Sequence, residues 1–173
     1  FDVGALSAQT DDLQSAGAES TNFTVLRLRR DILRRSSIGV LFENRSESTV
    51  APGSNRAYGV DATFSFFDNV NFLSYYAKTE TEGLTGTDES YRGRFSYDGD
   101  LWGFNVDHLL VGEDFNPELG FVQRKGFRQT FLSSRYRQRP ASIESIRSVT
   151  LEARLNYLEN AEAGFVETRE RQG

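Results

Sequence analysis

Apolar and polar residues alternate with a period of two along much of the chain. In the segment AYGVDATFSFF, every second residue from Tyr58 to Phe66 is apolar, and small or polar residues lie between them. The same alternation occurs in YRGRFSYD, WGFNVDHL and VTLEARLNY, which cover residues 91–98, 102–109 and 149–157. Because successive side chains of a strand point to opposite faces of a sheet, these segments predict strands with one apolar and one polar face.

Turn-forming residues separate the alternating segments. Asp68-Asn69 and Asp98 to Asp100 predict tight hairpin turns, and longer polar loops such as SESTVAPGSN and TETEGLTGTDES lie between them. Eight or nine strands follow from this spacing, and ten when both ends of the chain are counted. They are expected near residues 1–9, 22–31, 36–45, 56–67, 70–80, 90–98, 101–111, 127–138, 146–158 and 164–172. The sequence therefore predicts an all-β antiparallel meander of long amphipathic strands in one domain, residues 1–173.

The arginine-rich segment VLRLRRDILRRS allows two interpretations. Part of its apolar spacing fits a short basic helix, but leucine and arginine alternate strictly from Leu26 to Arg29. The neighbouring segments are also strands. We therefore predict a strand ending near Asp31, a turn through LRRS, and a second strand through SIGVLFENR.

A meander of this kind can form half of a water-soluble sandwich or the wall of a transmembrane barrel. In a sandwich the apolar faces of two sheets meet, whereas in a barrel they contact lipid and the polar faces line the interior. Strands of about 9–11 residues match a tilted membrane span and exceed the usual length in soluble proteins. Short turns alternating with long loops also favour the barrel, as do aromatic residues near strand ends. These aromatic residues are Tyr58, Tyr91, Tyr97, Trp102 and Tyr157.

The composition narrows the function classes. The net charge of −5 argues against a nucleic-acid partner, and the absence of cysteine excludes disulfides and thiolate metal sites. No apolar run reaches the roughly 18 residues of a membrane-spanning helix. The chain begins at Phe1 and contains no methionine, so we expect it to be an internal piece of a longer protein.

Arginines and carboxylates on the predicted polar face are the candidate site residues. They can line a barrel interior and pair across neighbouring strands, or contact phosphate groups, or form an ordinary solvated face. The basic segment Arg27–Arg35 is a further candidate for phosphate, including lipopolysaccharide phosphate. The candidate lining residues are Arg27, Arg29, Arg92, Arg94, Arg154, Asp61, Asp107 and Glu152.

Other chemistry-bearing residues receive a structural interpretation. The loop GEDFNPELGF offers oxygen ligands for calcium at Glu113, Asp114, Asn116 and Glu118, but its spacing is not that of an EF-hand and Asn-Pro favours a turn. Asp107 and His108 are adjacent in a strand and should face opposite ways. We assign no catalytic, cofactor-binding or metal-binding residue.

Three segments carry a resemblance to a known family. NFTVLRLRRDILRRSSIGVLFENRS, RAYGVDATFSFFDN and HLLVGEDFNPELGFVQRKGFRQT together resemble an uncharacterised bacterial family in which a β-rich domain follows a carbohydrate-binding module similar to family 9. The resemblance covers nearly the whole chain, within the C-terminal domain. It implies an outer-membrane β-barrel in a Gram-negative bacterium and, for the whole protein, an association with carbohydrate, since the carbohydrate-binding module itself is not in these 173 residues.

The resulting prediction is a structural or transport-type barrel wall with the lipid bilayer as partner. Because about eight strands leave a barrel interior filled by side chains, the charged lining favours a larger barrel completed by residues beyond Gly173. Two alternatives, both secreted or periplasmic, are a soluble β-sandwich that binds carbohydrate and a glycan hydrolase that uses Asp61, Asp107 or Glu152.

Overall fold

Ten β-strands form the framework of the protein. The computed structural model describes residues 1–13, 15, 17, 19–140 and 147–173. The strands are β1 Asp2–Gln9, β2 Asn22–Leu33, β3 Ser36–Arg45, β4 Asn55–Phe66, β5 Val70–Thr81, β6 Glu89–Asp98, β7 Trp102–Val111, β8 Phe127–Gln138, β9 Val149–Asn160 and β10 Val166–Gln172.

The strands make a single antiparallel sheet in sequence order. Each strand pairs with the next one along the chain, and β1 and β10 lie at the two edges of the open sheet. The predicted all-β antiparallel meander of long amphipathic strands is confirmed, and the tenth strand is present.

The arginine-rich segment is a strand, so its interpretation as a basic helix is wrong. The predicted turn through LRRS is also too wide, because β2 continues to Leu33 and only Arg34 and Arg35 form the turn to β3. A shift in register between Asp31 and Leu33 accommodates this extra length. The predicted start of β9 at residue 146 lies outside the described residues, and the observed strand begins at Val149.

Connections of different length lie at the two ends of the strands. The segments 10–21, 46–54, 82–88 and 112–126 join the strands at one end, which we call the loop edge. Short turns at 34–35, 67–69 and 99–101 join them at the opposite end, which we call the turn edge. The predicted alternation fails after β8, because the connection at the turn edge, 139–148, is long, whereas 161–165 at the loop edge is short.

The register gathers apolar side chains on one face of the sheet, which we call the apolar face. Val40 of β3 pairs with Leu28 of β2 and Val60 of β4, for example. These side chains are open: Val60 is 53% exposed and Leu151 63% exposed. Each strand contacts only its neighbours in the sheet, so no described element packs on this face.

The apolar band slants across the strands. On β4 it extends from Tyr58 to Phe66, and on β9 from Tyr157 to Val149. Phe66 is the turn-edge end of the band on β4. The row of paired residues that contains Phe66 crosses β9 at Ala153, which is the centre of the band on that strand. The band therefore moves by four residues over five strands, which corresponds to a strand tilt of about 30° at about 3.4 Å per residue and about 4.8 Å per strand.

Candidate functional site

The opposite face of the sheet, the polar face, carries all eight candidate lining residues. Asp61 pairs with Tyr75, and Tyr75 pairs with Arg92, so these three side chains share a face. Arg94 is paired with Asp107 in the next two strands. The same alternation places the remaining four on this face, which are Arg27, Arg29, Arg154 and Glu152.

One ion pair on the polar face spans two strand spacings. The Arg27 guanidinium of β2 reaches Asp61 of β4 across β3, and its Nη2 donates to Asp61 Oδ1 at 2.9 Å. Gly39 of β3 lies beneath this contact, and a Cβ atom there would be 2.5 Å from Arg27 Nη2. The absence of a side chain at Gly39 therefore permits the crossing.

A second crossing repeats this arrangement in β6 to β8. Asp98, Gly103 and Arg135 lie in one row of paired residues. Arg135 Nη2 passes over Gly103 and donates to Asp98 Oδ1 at 2.5 Å and to the carbonyl of Gly99 at 2.9 Å. Sequence reasoning missed both crossings, although a glycine on the polar face between strands with arginine and aspartate was a visible signal.

The other predicted charges divide into paired and unpaired groups. Arg92 Nε donates to Asp107 Oδ1 at 2.8 Å, and Arg154 donates to Glu152 at 2.7 Å. Arg29 and Arg94 have no ion pair among the described residues. The polar face is therefore a mixed-charge surface on which Arg29 and Arg94 stand outside the described ion pairs.

The long β7–β8 connection, residues 112–126, folds onto the polar face near the loop edge, and we call it the inward loop. Phe115 is buried and lines a cavity of about 430 Å³ together with Ala57 and Val111. Leu41 and Leu109 also line this cavity. Near the loop edge, the side chains on the polar face are apolar, and the inward loop covers them.

Buried amide and hydroxyl groups hold the inward loop against β4 and β5. Asn55 Nδ2 donates to the Asn116 carbonyl at 2.8 Å and to Thr81 Oγ1 at 2.7 Å. The Asn116 amide in turn donates to Thr79 Oγ1 at 3.0 Å. Asn55 and Thr79 are only 2% and 1% exposed, so these hydrogen bonds satisfy polar groups that water does not reach.

Two other connections at the loop edge hold the inward loop as well. Glu118 accepts hydrogen bonds from Ser48 Oγ at 2.6 Å and from the Thr49 amide at 3.1 Å. Asp114 Oδ2 accepts one from the Gly86 amide at 2.6 Å. A Cβ atom at Gly112 would be 2.1 Å from the Thr87 carbonyl oxygen, so only glycine allows the loop to approach this closely.

The calcium candidates of this loop bind hydrogen-bond donors of the protein itself. Asp114 accepts from the Gly86 amide, whereas Glu118 accepts from Asn116 Nδ2 at 3.2 Å in addition to the donors described above. Among the described residues, no group of three or more His, Asp or Glu side chains has the geometry to hold a metal ion. Glu113 instead forms a hydrogen bond with Glu162 of the 161–165 turn, and this bond, with the charges of Glu113 and Asp114, raises the pKa of Glu162.

His108 and Asp107 lie on opposite faces of β7, as their adjacency predicts. His108 Nδ1 is 2.9 Å from Thr130 Oγ1 on the apolar face, whereas Asp107 bonds to Arg92 on the polar face. The structure therefore does not bring them together as an acid–base pair.

Comparisons with protein families, with curated proteins and with solved structures find no match. The resemblance to a family with a carbohydrate-binding module stays a prediction. Within the described part of the chain, no helix is both long and apolar enough to cross a membrane.

Proposed function

We propose that this chain forms part of the wall of a β-barrel in the outer membrane of a Gram-negative bacterium. In this arrangement the apolar face contacts lipid and the polar face lines the interior. The observation that carries the proposal is the uncovered apolar band opposite a face of paired charges. In water such a band would have to be covered, whereas in a bilayer lipid covers it.

The height of the band supports this proposal. From Tyr58 to Phe66 the strand is about 27 Å long at about 3.4 Å per residue. A tilt of about 30° reduces this length to about 24 Å, which is close to the roughly 25 Å apolar band of outer-membrane barrels. The tilt itself is slightly below the roughly 35–45° of such barrels.

Aromatic side chains at both ends of the band are consistent with a membrane boundary. Near the turn edge the Trp102 ring lies 5.9 Å from Phe104 and 4.6 Å from Tyr136, measured between centroids. Near the loop edge the Tyr76 hydroxyl donates to Glu89 at 2.8 Å, and Tyr58 donates to Glu80. Rings with one apolar and one hydrated end favour the interface between lipid and water.

In this proposal the barrel transports a solute, and the inward loop constricts the path through its interior. It narrows the space next to the polar face, whose arginines, carboxylates and hydroxyls suit a polar solute. Carbohydrate is the proposed solute on the strength of the sequence resemblance, and uptake of neutral sugars into vesicles that contain the full-length protein tests this part separately.

Cell fractionation of the full-length protein, with gel mobility compared before and after boiling, tests the proposal. Recovery in the outer membrane together with a mobility shift on boiling is the expected result, because a closed barrel resists detergent until it is heated. A water-soluble monomer with unchanged mobility would overturn the proposal and indicate the β-sandwich alternative, in which a second sheet covers the apolar face.

A further inference from the structure

Two arginines interrupt the apolar face at its β10 edge. Arg169 pairs with Tyr157, and Arg171 pairs with Leu155, so both guanidinium groups extend from the same face as the apolar band. Both residues are exposed and have no ion pair among the described residues. A cation on a lipid-facing strand is destabilising unless it reaches the interface or an anion.

A groove on the apolar face ends at Arg171. Its floor contains the small residues Ser134 and Ala153, and larger apolar side chains form its sides. The groove has a volume of about 680 Å³. Its apolar sides are formed by Phe104, Val106, Leu132 and Leu155. An apolar channel with a cation at one end is complementary to an anionic amphiphile.

A second groove on the apolar face provides a comparison within the same molecule. It lies between β2 and β5, has a volume of about 610 Å³, and is lined by Val60, Ala62 and Arg30. There the arginine is already occupied, because the Arg30 guanidinium lies over the Phe1 ring at 4.6 Å from its centroid. Only the groove at β10 combines apolar walls with an unpaired cation in the described part of the chain.

We propose that the groove at β10 binds an anionic membrane lipid, with an acyl chain between Leu132 and Leu155 and the headgroup phosphate on Arg171. Arg169, one pair further toward the loop edge, extends the phosphate site. Arginine is suited to this contact because its planar fork donates two hydrogen bonds to one phosphate. This inference rests on the proposed membrane location.

Quenching of Trp102, the one tryptophan of these 173 residues, tests the inference, because Trp102 stacks on Phe104 at the wall of the groove. Any tryptophan elsewhere in the full-length protein is first replaced by phenylalanine. The full-length protein is placed in phosphatidylcholine vesicles that contain equal mole fractions of either brominated phosphatidylglycerol or brominated phosphatidylcholine. We expect the anionic lipid to quench with a several-fold higher apparent affinity. Arg171→Gln should reduce this preference to about one-fold.

Two further variants separate the groove from general charge effects. Arg137→Gln removes an arginine from the polar face of β8 and should leave the preference unchanged. Ala153→Phe fills the groove and should weaken quenching by both lipids.

The outcomes distinguish the inference from the proposed function. Equal quenching by both lipids, an unchanged preference in Arg171→Gln, or a dimer that shields Trp102 from both lipids would overturn the lipid site while the protein remains in the vesicles. Failure to enter vesicles at all would overturn the membrane location, and the inference with it.

Discussion

Glycine positions on the polar face decide which charges meet. Gly39 and Gly103 each lie beneath an arginine that reaches an aspartate two strands away. Arg27 and Asp61 are each about one-third exposed, so water weakens the pair without removing it. The crossings stabilise the polar face laterally, because each one joins three strands.

Adding a methyl group at Gly39 should break the first crossing. Gly39→Ala places a Cβ atom against the Arg27 guanidinium, and we expect the free energy of unfolding to fall by about 1 kcal/mol. Urea unfolding in detergent micelles measures the change. Gly93→Ala is the matched control, since its Cβ would meet nothing within 4 Å, and an equal loss in both variants would contradict this explanation.

A second residue-scale prediction concerns the carboxyl pair Glu113 and Glu162. The raised pKa of Glu162 means that the folded protein holds this proton more strongly than the unfolded chain does. The stabilisation is therefore complete below the ordinary glutamate pKa of about 4.3, and is lost as the pH rises through the raised value.

Amide exchange at Ala161 measures this dependence, because its N–H donates to the Gly126 carbonyl at 3.0 Å and so joins the turn to the inward loop. After correction for the intrinsic exchange rate, protection should decrease as the pH rises above about 4.3 and passes through the raised pKa of Glu162. In Glu162→Gln the decrease should disappear, and a decrease of the same size there would indicate that another group is responsible.

At the scale of elements, the inward loop is a connection that several other elements hold in place. Its hydrogen bonds go to β4, to β5 and to the connections 46–54 and 82–88. A loop with buried polar contacts of this kind is expected to stay in place rather than move as a lid.

Asn55 is the residue whose loss should release the inward loop. Asn55→Ala leaves the partly buried Asn116 carbonyl without its donor, which costs about 2 kcal/mol. We expect amide exchange at Asn116 and Glu118 to accelerate by about 10- to 100-fold. Asn71→Ala, at an exposed position of β5, should change neither amide, and unchanged exchange in Asn55→Ala would show that other contacts suffice.

The strands could be predicted from the sequence because alternation is a local signal. The alternation in segment 58–66 predicts β4 without reference to any other part of the chain. The inward loop could not be predicted in this way, since Asn55 and Asn116 meet only after the intervening strands have paired. Arg135 and Asp98 were missed for the same reason, although the eight candidate charges were correctly placed on a single face.

At the scale of the whole molecule, the slanted apolar band relates the strand direction to the membrane plane. Trp102, the only tryptophan among these 173 residues, lies on the apolar face at the turn edge of the band. We expect its emission to shift to shorter wavelength when the protein enters vesicles. Lipids brominated near the headgroup should quench it more than lipids brominated near the chain end, because Trp102 lies at the boundary of the band.

Moving the tryptophan to the polar face provides the control. Trp102→Phe combined with Phe131→Trp places the indole next to Asp107 on the polar face of β8. Lipid bromine should then have little effect, whereas a small water-soluble quencher should reach the indole. Quenching by lipid at position 131 would mean that both faces contact the bilayer, which a barrel wall does not allow.

The anchoring of the inward loop also has a consequence for the order of folding. Asn55 and Asn116 are separated by 61 positions in sequence, and the contact closes only when β4 to β7 are aligned in register. Contacts of such long range form late, because the entropy of closing the intervening chain opposes them. The docked loop therefore forms only after β4 to β7 have paired correctly. In a chain whose strands have paired in the wrong order, the loop has no surface to pack on, and residues 112–126 would remain accessible to proteases.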